Sequence, residues 1–392
     1  MGHFSRFDMK KIYTFLSYLL VAALTAAATM YLCAGSYDPE YTKLEQLSDL
    51  IEERFIGEAD RTAYEDAAAA AMVDALGDEW SYYIPATSYQ SHLETVQNAY
   101  VGIGITILVR EEGDGFEVTK VNAGGPAEAA GMEAGDVIVG IEGQSAAGMT
   151  ADVARGLVRG EENTQVKLEI LRNGETFELV VTRKTVLTPV ATGQMLDGNI
   201  GLVTIVNFDD RCFSESKAAI ESLLDAGAVA LIFDVRNNPG GYKHELVDLL
   251  DYLLPEGPLF RAEDYRGTVE VDKSDAKYLD IPMAVLVNGY SYSAAEFFAA
   301  ALSEYEAAVV VGQQTYGKGY FQTTIRLLDG SAVGLSVGKY TTPKGNNLAG
   351  VGITPDVVVE VDEETDFQIY AGTMDPALDP QIQAAVEALK TK

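Results

Sequence analysis

The spacing of hydrophobic and polar positions divides the chain into four stretches. Ile12 to Leu32 is a run of 21 residues without a charge, apolar on every side, which predicts one helix of membrane-spanning length. From 37 to about 90 the apolar residues fall at helical spacing. Leu44, Leu47, Leu50, Ile51 and Phe55 form one such face, and an Ala-rich helix, Thr62 to Leu76, stops at Gly77. From 98 to about 187 short alternating runs are punctuated by glycine. They predict a strand over Val101–Val109, a strand over Phe116–Val121, a short helix ending at Gly131, and a buried strand after Gly135-Asp136. A helix over Thr150–Val158 follows, then a hairpin turning at Asn173-Gly174. From 188 onward buried strands alternate with helices. The strands are Ile200–Phe208, Val229–Val235, Met283–Val287, Ala307–Val311 and Tyr320–Leu327. The helices are Ser214–Ala226, His244–Leu254, Ser293–Tyr305 and Pro380–Leu389. This order predicts a sheet flanked by helices, within an α/β (α+β) multidomain chain. The implied boundaries are 1–36, 37–97, 98–187 and 188–392.

Composition narrows the function. The chain has 392 residues and 47% hydrophobic content, enough for packed cores. With 28 basic against 59 acidic residues its net charge is −31, which argues against nucleic acid as a partner. Cys33 and Cys212 are the only cysteines, so a disulfide framework and a cysteine metal cluster are excluded. No metal or cofactor is expected. The charge is uneven: Arg6, Lys10 and Lys11 against Asp8 give the first eleven residues a net of +2. A basic leader before an apolar span and an acidic remainder predict a single-pass anchor, N-terminus cytoplasmic and the rest extracytoplasmic. The rival reading is a signal peptide cleaved near Ala26-Ala27-Ala28. Lipidation at Cys33 fits poorly, because Leu32 stands where a small residue is wanted.

Residues 98–187 resemble a PDZ domain. The resemblance is carried by Gly102-Ile103-Gly104-Ile105, by Pro126-Ala-Glu-Ala-Ala-Gly131 and by Gly135-Asp136. A glycine-rich loop opening an edge strand can present backbone N–H groups to a terminal carboxylate, and the strand edge can pair with an extended peptide.

Three segments beyond 188 are candidates for chemistry. Asp234-Val-Arg-Asn-Asn-Pro-Gly-Gly241 follows a buried strand, where a Pro-Gly-Gly turn can aim N–H groups at an oxyanion or merely supply positive φ. In Ser291-Tyr-Ser-Ala-Ala-Glu296, Ser293 and Glu296 match a capping box, and a serine at a helix N-terminus also suits a nucleophile. Gly312-Gln-Gln-Thr-Tyr-Gly-Lys318 fits the start of a phosphate-binding loop. However, Gly319 stands where Ser or Thr is required, and the following residues read as a strand. His3, His92 and His244 are the only histidines, and none follows Ser293, so an α/β-hydrolase triad is excluded. A lysine base remains, and Lys318 is the best placed. It must be desolvated to be neutral at working pH.

With these segments the chain resembles the carboxyl-terminal processing peptidases over about residues 40 to 390. The motifs are Arg236-Asn-Asn-Pro-Gly-Gly241, Ser291-x-Ser293-Ala-x-Glu296, Gly317-Lys-Gly-x-x-Gln322 and Gly352-Ile-Thr-Pro-Asp356. The resemblance implies a crotonase/Clp-like serine protease core with Ser293 as nucleophile, Lys318 as base 25 residues later, and Gln322 orienting the lysine. Gln322 is expected on the same strand face as Lys318 by the two-residue period. The oxyanion would rest on N–H groups of Gly240 or Gly241 and of Ala294. Gly102, Ile103, Gly104 and Ile105 would bind the C-terminus of protein or peptide substrates with apolar ends. Dimer contacts through the N-terminal helices are implied by the resemblance alone. Tyr292 departs from the small residue the family usually has there. The other reading is a catalytically silent PDZ peptide-binding adaptor at the membrane.

Overall fold

The structure, a computed structural model, describes residues 9–34, 39–110 and 112–390. It forms two compact units, one through Met72 and one from Val73 onward. The first unit is helical. Met9–Ala34 is one helix of 26 residues, followed by Pro39–Arg54 and the start of Arg61–Asp74. In this unit Ser48 is buried and its hydroxyl lies 2.7 Å from the Tyr64 hydroxyl. Among the described residues no helix is long and apolar enough to cross a membrane, so the expected span over Ile12 to Leu32 is not supported here. Arg6 lies outside the described residues, as do the side chains of Lys10, Lys11, Ile12, Leu32 and Cys33.

Three sheets organise the second unit. The first has the strand order Ile105–Val109, Phe116–Val121, Val137–Ile141, Gln165–Arg172, Glu175–Thr182. Its inward residues, among them Phe116, Ile138, Val166, Leu168 and Ile170, make a separate core. The alternation read from the sequence is visible in Gln165–Arg172, where every second side chain is buried. Asn173 and Gly174 both take positive φ, 53° and 83°, as a tight hairpin requires. The single strand expected over Val101–Val109 is two strands. Ala99–Gly102 pairs with Lys184–Leu187, and the chain turns at Gly104, φ +76°, before Ile105–Val109 joins the main sheet as its free edge.

The second sheet runs Ala191–Leu196, Ile200–Ile205, Ala230–Asp234, Met283–Val287, Ala308–Gly312, Val357–Val358. The first pair is antiparallel and the rest are parallel. One face carries the helices Cys212–Asp225, Lys243–Leu253 and Ala294–Glu304, the other Pro380–Leu389. With both faces covered, Ala230–Asp234 and Met283–Val287 are buried at every position, so they read as unbroken apolar runs.

The third sheet is antiparallel: Tyr82–Ile84, Ala332–Thr341, Gly257–Asp264 and Val269–Ser274, with Tyr320–Arg326 also on Ala332–Thr341. Tyr82–Ile84 falls inside the stretch expected to be helical, which is a correction. That short strand is stabilised by its partner Ala332–Gly334 rather than by any periodicity of its own. The long strand Ala332–Thr341 escapes a pattern reading because glycines stand where rings pack. A Cβ on Gly334 would lie 2.3 Å from the Tyr82 ring, and one on Gly338 2.4 Å from Phe321.

Candidate active site

Buried asparagines tie two loops at the carboxyl ends of the parallel strands, where ligands bind in such sheets. The loop after Ala230–Asp234 begins with Arg236, buried between Asp234 at 2.6 Å and Asp379 at 2.8 Å. Asp379 caps the helix Pro380–Leu389, so Arg236 is a strut that anchors the loop. Asn237 and Asn288 exchange two hydrogen bonds of 2.9 Å across the two loops. Asn238 donates to the Ile205 carbonyl at 2.8 Å, and its backbone carbonyl accepts from Tyr292 N–H at 3.2 Å. These contacts lay the Pro239-Gly-Gly241 turn directly on the start of the helix Ala294–Glu304. A Cβ on Gly240 would meet Ser293 Cβ at 2.7 Å and Ala294 N at 2.8 Å, and Gly240 has φ +90°. Glycine is required there on both counts.

The two serines of the motif separate cleanly. Ser291 is fully buried and donates to the Val235 carbonyl at 2.7 Å, so it is part of the scaffold. Ser293 opens onto a cavity of about 450 Å³ that Lys318, Gln322, Gly241 and Ala294 also line. Its backbone is unusual for a non-glycine residue, at φ 59°, ψ −122°, a conformation that persists only where surrounding contacts enforce it. Ser293 and Glu296 do form a capping box, with Ser293 N–H donating to Glu296 Oε2 at 3.1 Å. The cap residue and the cavity-lining serine are therefore the same, half-buried residue.

Glu296 joins the serine to the lysine. Its buried carboxylate also accepts from the Thr315 hydroxyl at 2.6 Å, Gly317 N–H at 2.6 Å and Lys318 N–H at 2.9 Å. Burial raises its pKa, and these bonds oppose the rise. Tyr340, itself buried, donates its hydroxyl to the Lys318 carbonyl. The glycines around the lysine are packing devices rather than a phosphate cradle. A Cβ on Gly317 would lie 3.1 Å from Gly352 N, and one on Gly319 2.5 Å from Asn347 Oδ1. No helix follows Lys318; the next element is the strand Tyr320–Arg326. The Gly352-Ile-Thr-Pro-Asp356 motif braces this loop, with Ile353 N–H on Thr315 Oγ1 at 2.8 Å and Asp356 accepting from Val310 N–H at 2.9 Å.

Lys318 lines the same cavity as Ser293. Burial holds its pKa down to about 8, while Asp78 and Glu296 pull it the other way. Among the described residues its ammonium has no carboxylate within ion-pair distance and no hydrogen bond to Ser293 Oγ; it lies over the Trp80 ring, 4.4 Å from the centroid. Gln322 lines the same cavity, but not for the reason of strand period. Lys318 precedes the strand, and the register slips between Phe321 and Gln322. Gln322 donates to Ser336 Oγ at 3.0 Å.

The N–H groups proposed for an oxyanion differ in availability. Gly240 N–H already donates to Asn238 Oδ1 at 2.9 Å. Gly241 and Ala294 N–H have no acceptor among the described residues, and both residues line the cavity. Asp209 stands at the rim, pushed up to about 7 by burial and then by Asp210 and Glu245. His244 is exposed, stacks on Tyr242 at 5.5 Å and does not line the cavity. Asp210, His244 and Glu245 bring ligand atoms within 4.8 Å of one another. Glu245 already accepts from Arg211 and Phe213 N–H at 3.2 and 2.6 Å. Gly102, Ile103, Gly104 and Ile105 line a second groove with Ala151, Arg155 and Val158 of the facing helix, beside the free strand edge.

The chain is similar to proteins of one peptidase family. The model of peptidase family S41 matches residues 199–359, and a PDZ domain model matches 117–172. The carboxy-terminal processing protease CtpA of Bacillus subtilis is 32% identical over 367 residues, covering 90% of this chain and 78% of that protein. The chain belongs to the carboxyl-terminal processing peptidase family. The carboxyl-terminal-processing protease of Synechocystis is 33% identical, over 81% of this chain and 75% of that one. The solved photosystem II D1 C-terminal processing protease is 30% identical over 80% of this chain and 86% of that chain, with a TM-score of 0.47. The chain is thus a serine-type peptidase with a PDZ domain and an S41 protease domain.

Sequence reasoning missed Asn238, Asn288, Thr315, Tyr340 and Trp80. Asn238 and Thr315 stood within the motifs above without an assigned role, and Asn288 left a signal as a polar residue ending the apolar run Met283–Val287. For the peptidase, Glu296→Gln is expected to lower kcat by roughly 10²-fold and the melting temperature by several degrees. An amide NH₂ would face donors that now meet a carboxylate. Parallel activity and melting measurements check both effects.

Proposed function

We propose that this peptidase cleaves by a Ser293/Lys318 dyad, with Gln322 as an accessory group. Neutral Lys318 takes the proton as Ser293 Oγ attacks the scissile carbonyl, and the oxyanion forms against Gly241 and Ala294 N–H. The protonated lysine then gives its proton to the leaving amine. Water, deprotonated by the same lysine, hydrolyses the acyl-enzyme and frees Ser293. The observation that carries the reading is the single carboxylate, Glu296, which bonds the backbone N–H of both Ser293 and Lys318 beside one cavity. Ser293 Oγ and Lys318 Nζ are not hydrogen-bonded in this arrangement, so the lysine Nζ turns toward Ser293 along the indole face before the chemical step. Gly102 to Ile105 hold the C-terminus of a protein or peptide substrate with an apolar end, along the free edge of Ile105–Val109. The silent-adaptor alternative has less support, since Ser293, Lys318 and Gln322 all face the cavity.

The same proposal places the catalytic unit outside the cell membrane, anchored through Ile12 to Leu32. Support comes from the uncharged 21-residue run behind a +2 leader and from the exposure of Phe15, Leu19 and Leu24 on the helix. Exposed Leu44, Leu47 and Leu50 in the next helix suit self-association as a dimer. Mass spectrometry of protein C-termini in membrane fractions tests the reading. Wild type is expected to yield shortened C-termini that disappear with Ser293→Ala; identical termini in both would refute it.

A further inference from the structure

The chain's single tryptophan sits on the base. Trp80 reaches the site from the short segment that precedes the strand Tyr82–Ile84. Two fixed points hold that segment: Asp78 accepts from Trp80 N–H at 3.3 Å and from the Ser81 hydroxyl at 2.5 Å, and Ser81 Oγ accepts from Ser336 N–H at 3.1 Å. Around the indole stand Tyr316, edge-on at 5.3 Å, and Tyr292 at 5.9 Å, which are themselves 5.6 Å apart. Tyr292, the departure noted in the sequence, thus helps to fix Trp80. The backbone of Lys318 is pinned at both ends, by Glu296 at its N–H and Tyr340 at its carbonyl. Its ammonium lies over the indole face, with Nζ 4.4 Å from the ring centroid. An aromatic face attracts an ammonium while excluding water from it.

We propose that Trp80 is a positioning residue for the general base, its indole face sheltering Lys318 Nζ at the wall of the cavity that Ser293 lines. This rests on the Ser/Lys reading above. Removing the indole withdraws two opposed effects, its attraction for the ammonium and its exclusion of water; burial is the dominant influence on this lysine, so hydration wins and the neutral fraction falls. The full chain carrying Ser293→Ala offers a direct reading, because the only indole faces the lysine. Its fluorescence should show one step between pH 6 and 9.5, with a midpoint near the about 8 set by burial, and Lys318→Met should abolish the step.

In the active chain, Trp80→Ala should move the midpoint of the kcat–pH profile up by about one unit or more. It should also lower kcat at pH 7.5 by roughly 10- to 100-fold with KM nearly unchanged. Trp80→Phe should keep the midpoint within about half a unit. Should Trp80→Ala fail to fold, the Lys318-dependent fluorescence step decides alone. The inference is overturned by the absence of that step, by an unmoved midpoint in folded Trp80→Ala, or by a rise in kcat. Cleavage that survives Lys318→Met, where the step in Ser293→Ala has proved to depend on Lys318, would instead sink the dyad reading.

Discussion

Ser293→Ala lowers kcat by on the order of 10⁴-fold or more, with little change in melting temperature. The effect is large because neither Ser291 nor Cys212 can substitute. Ser291 is fully buried and committed to Val235, and Cys212, also buried, has its thiol pKa pushed up by burial. The loss of stability should be small, because the Glu296 half of the cap, Ser293 N–H on Oε2, does not use the serine side chain. In Ser293→Ala a C-terminal peptide should still bind at Gly102 to Ile105. Steady-state hydrolysis of a denatured protein substrate, alongside thermal melting, checks both halves.

Lys318→Met removes turnover to a similar extent and makes the fold more stable at pH 7. The folded lysine has a pKa of about 8, against 10.5 for the unperturbed side chain. At pH 7 its neutral fraction is therefore roughly one in ten, and at the ordinary value it would be below about one in a thousand. Activity should climb as pH rises through about 8 and then level off. The stability sign is opposite to that of a salt-bridged lysine. Between about 8 and 10.5 the unfolded chain binds more protons than the folded one, so the residue's opposition to folding fades as pH rises. Below about 8 it opposes folding by its full amount, on the order of 2 kcal/mol after allowing for partial exposure. Methionine keeps the stem and drops the charge, so the melting temperature at pH 7 should rise by a few degrees. A melting temperature that falls would show that the ammonium is paired rather than merely buried.

The sequence was informative wherever one side chain or one turn decides the local outcome. Glycine at 174, the capped start at Ser293 and the buried runs Ala230–Asp234 and Met283–Val287 all carry their structure locally. The strand Tyr82–Ile84 does not. It is short and takes its conformation from Ala332–Gly334, some 250 residues away. The strand Ala332–Thr341 hides its alternation behind glycines that accommodate Tyr82 and Phe321. The site divides in the same way. Lys318 was found because histidine was missing, whereas its surroundings were not legible. Glu296 looked like a helix cap, and its bonds to Thr315, Gly317 and Lys318 depend on a loop that returns after 20 residues. Choosing between Gly240 and Gly241 needed the Asn238 side chain, which consumes one N–H and leaves the other free. The period-two argument for Gln322 reached the right cavity by the wrong route, since a register slip lies between it and Tyr320.

The most direct test of the central claim is the rate at which a fluorophosphonate acylates Ser293, followed across pH in the full chain. The proposed dyad predicts labelling at Ser293 alone, rising through a midpoint near 8 and falling by several orders of magnitude in Lys318→Met. Labelling that is independent of pH, equal in Lys318→Met, or placed on another residue would contradict it.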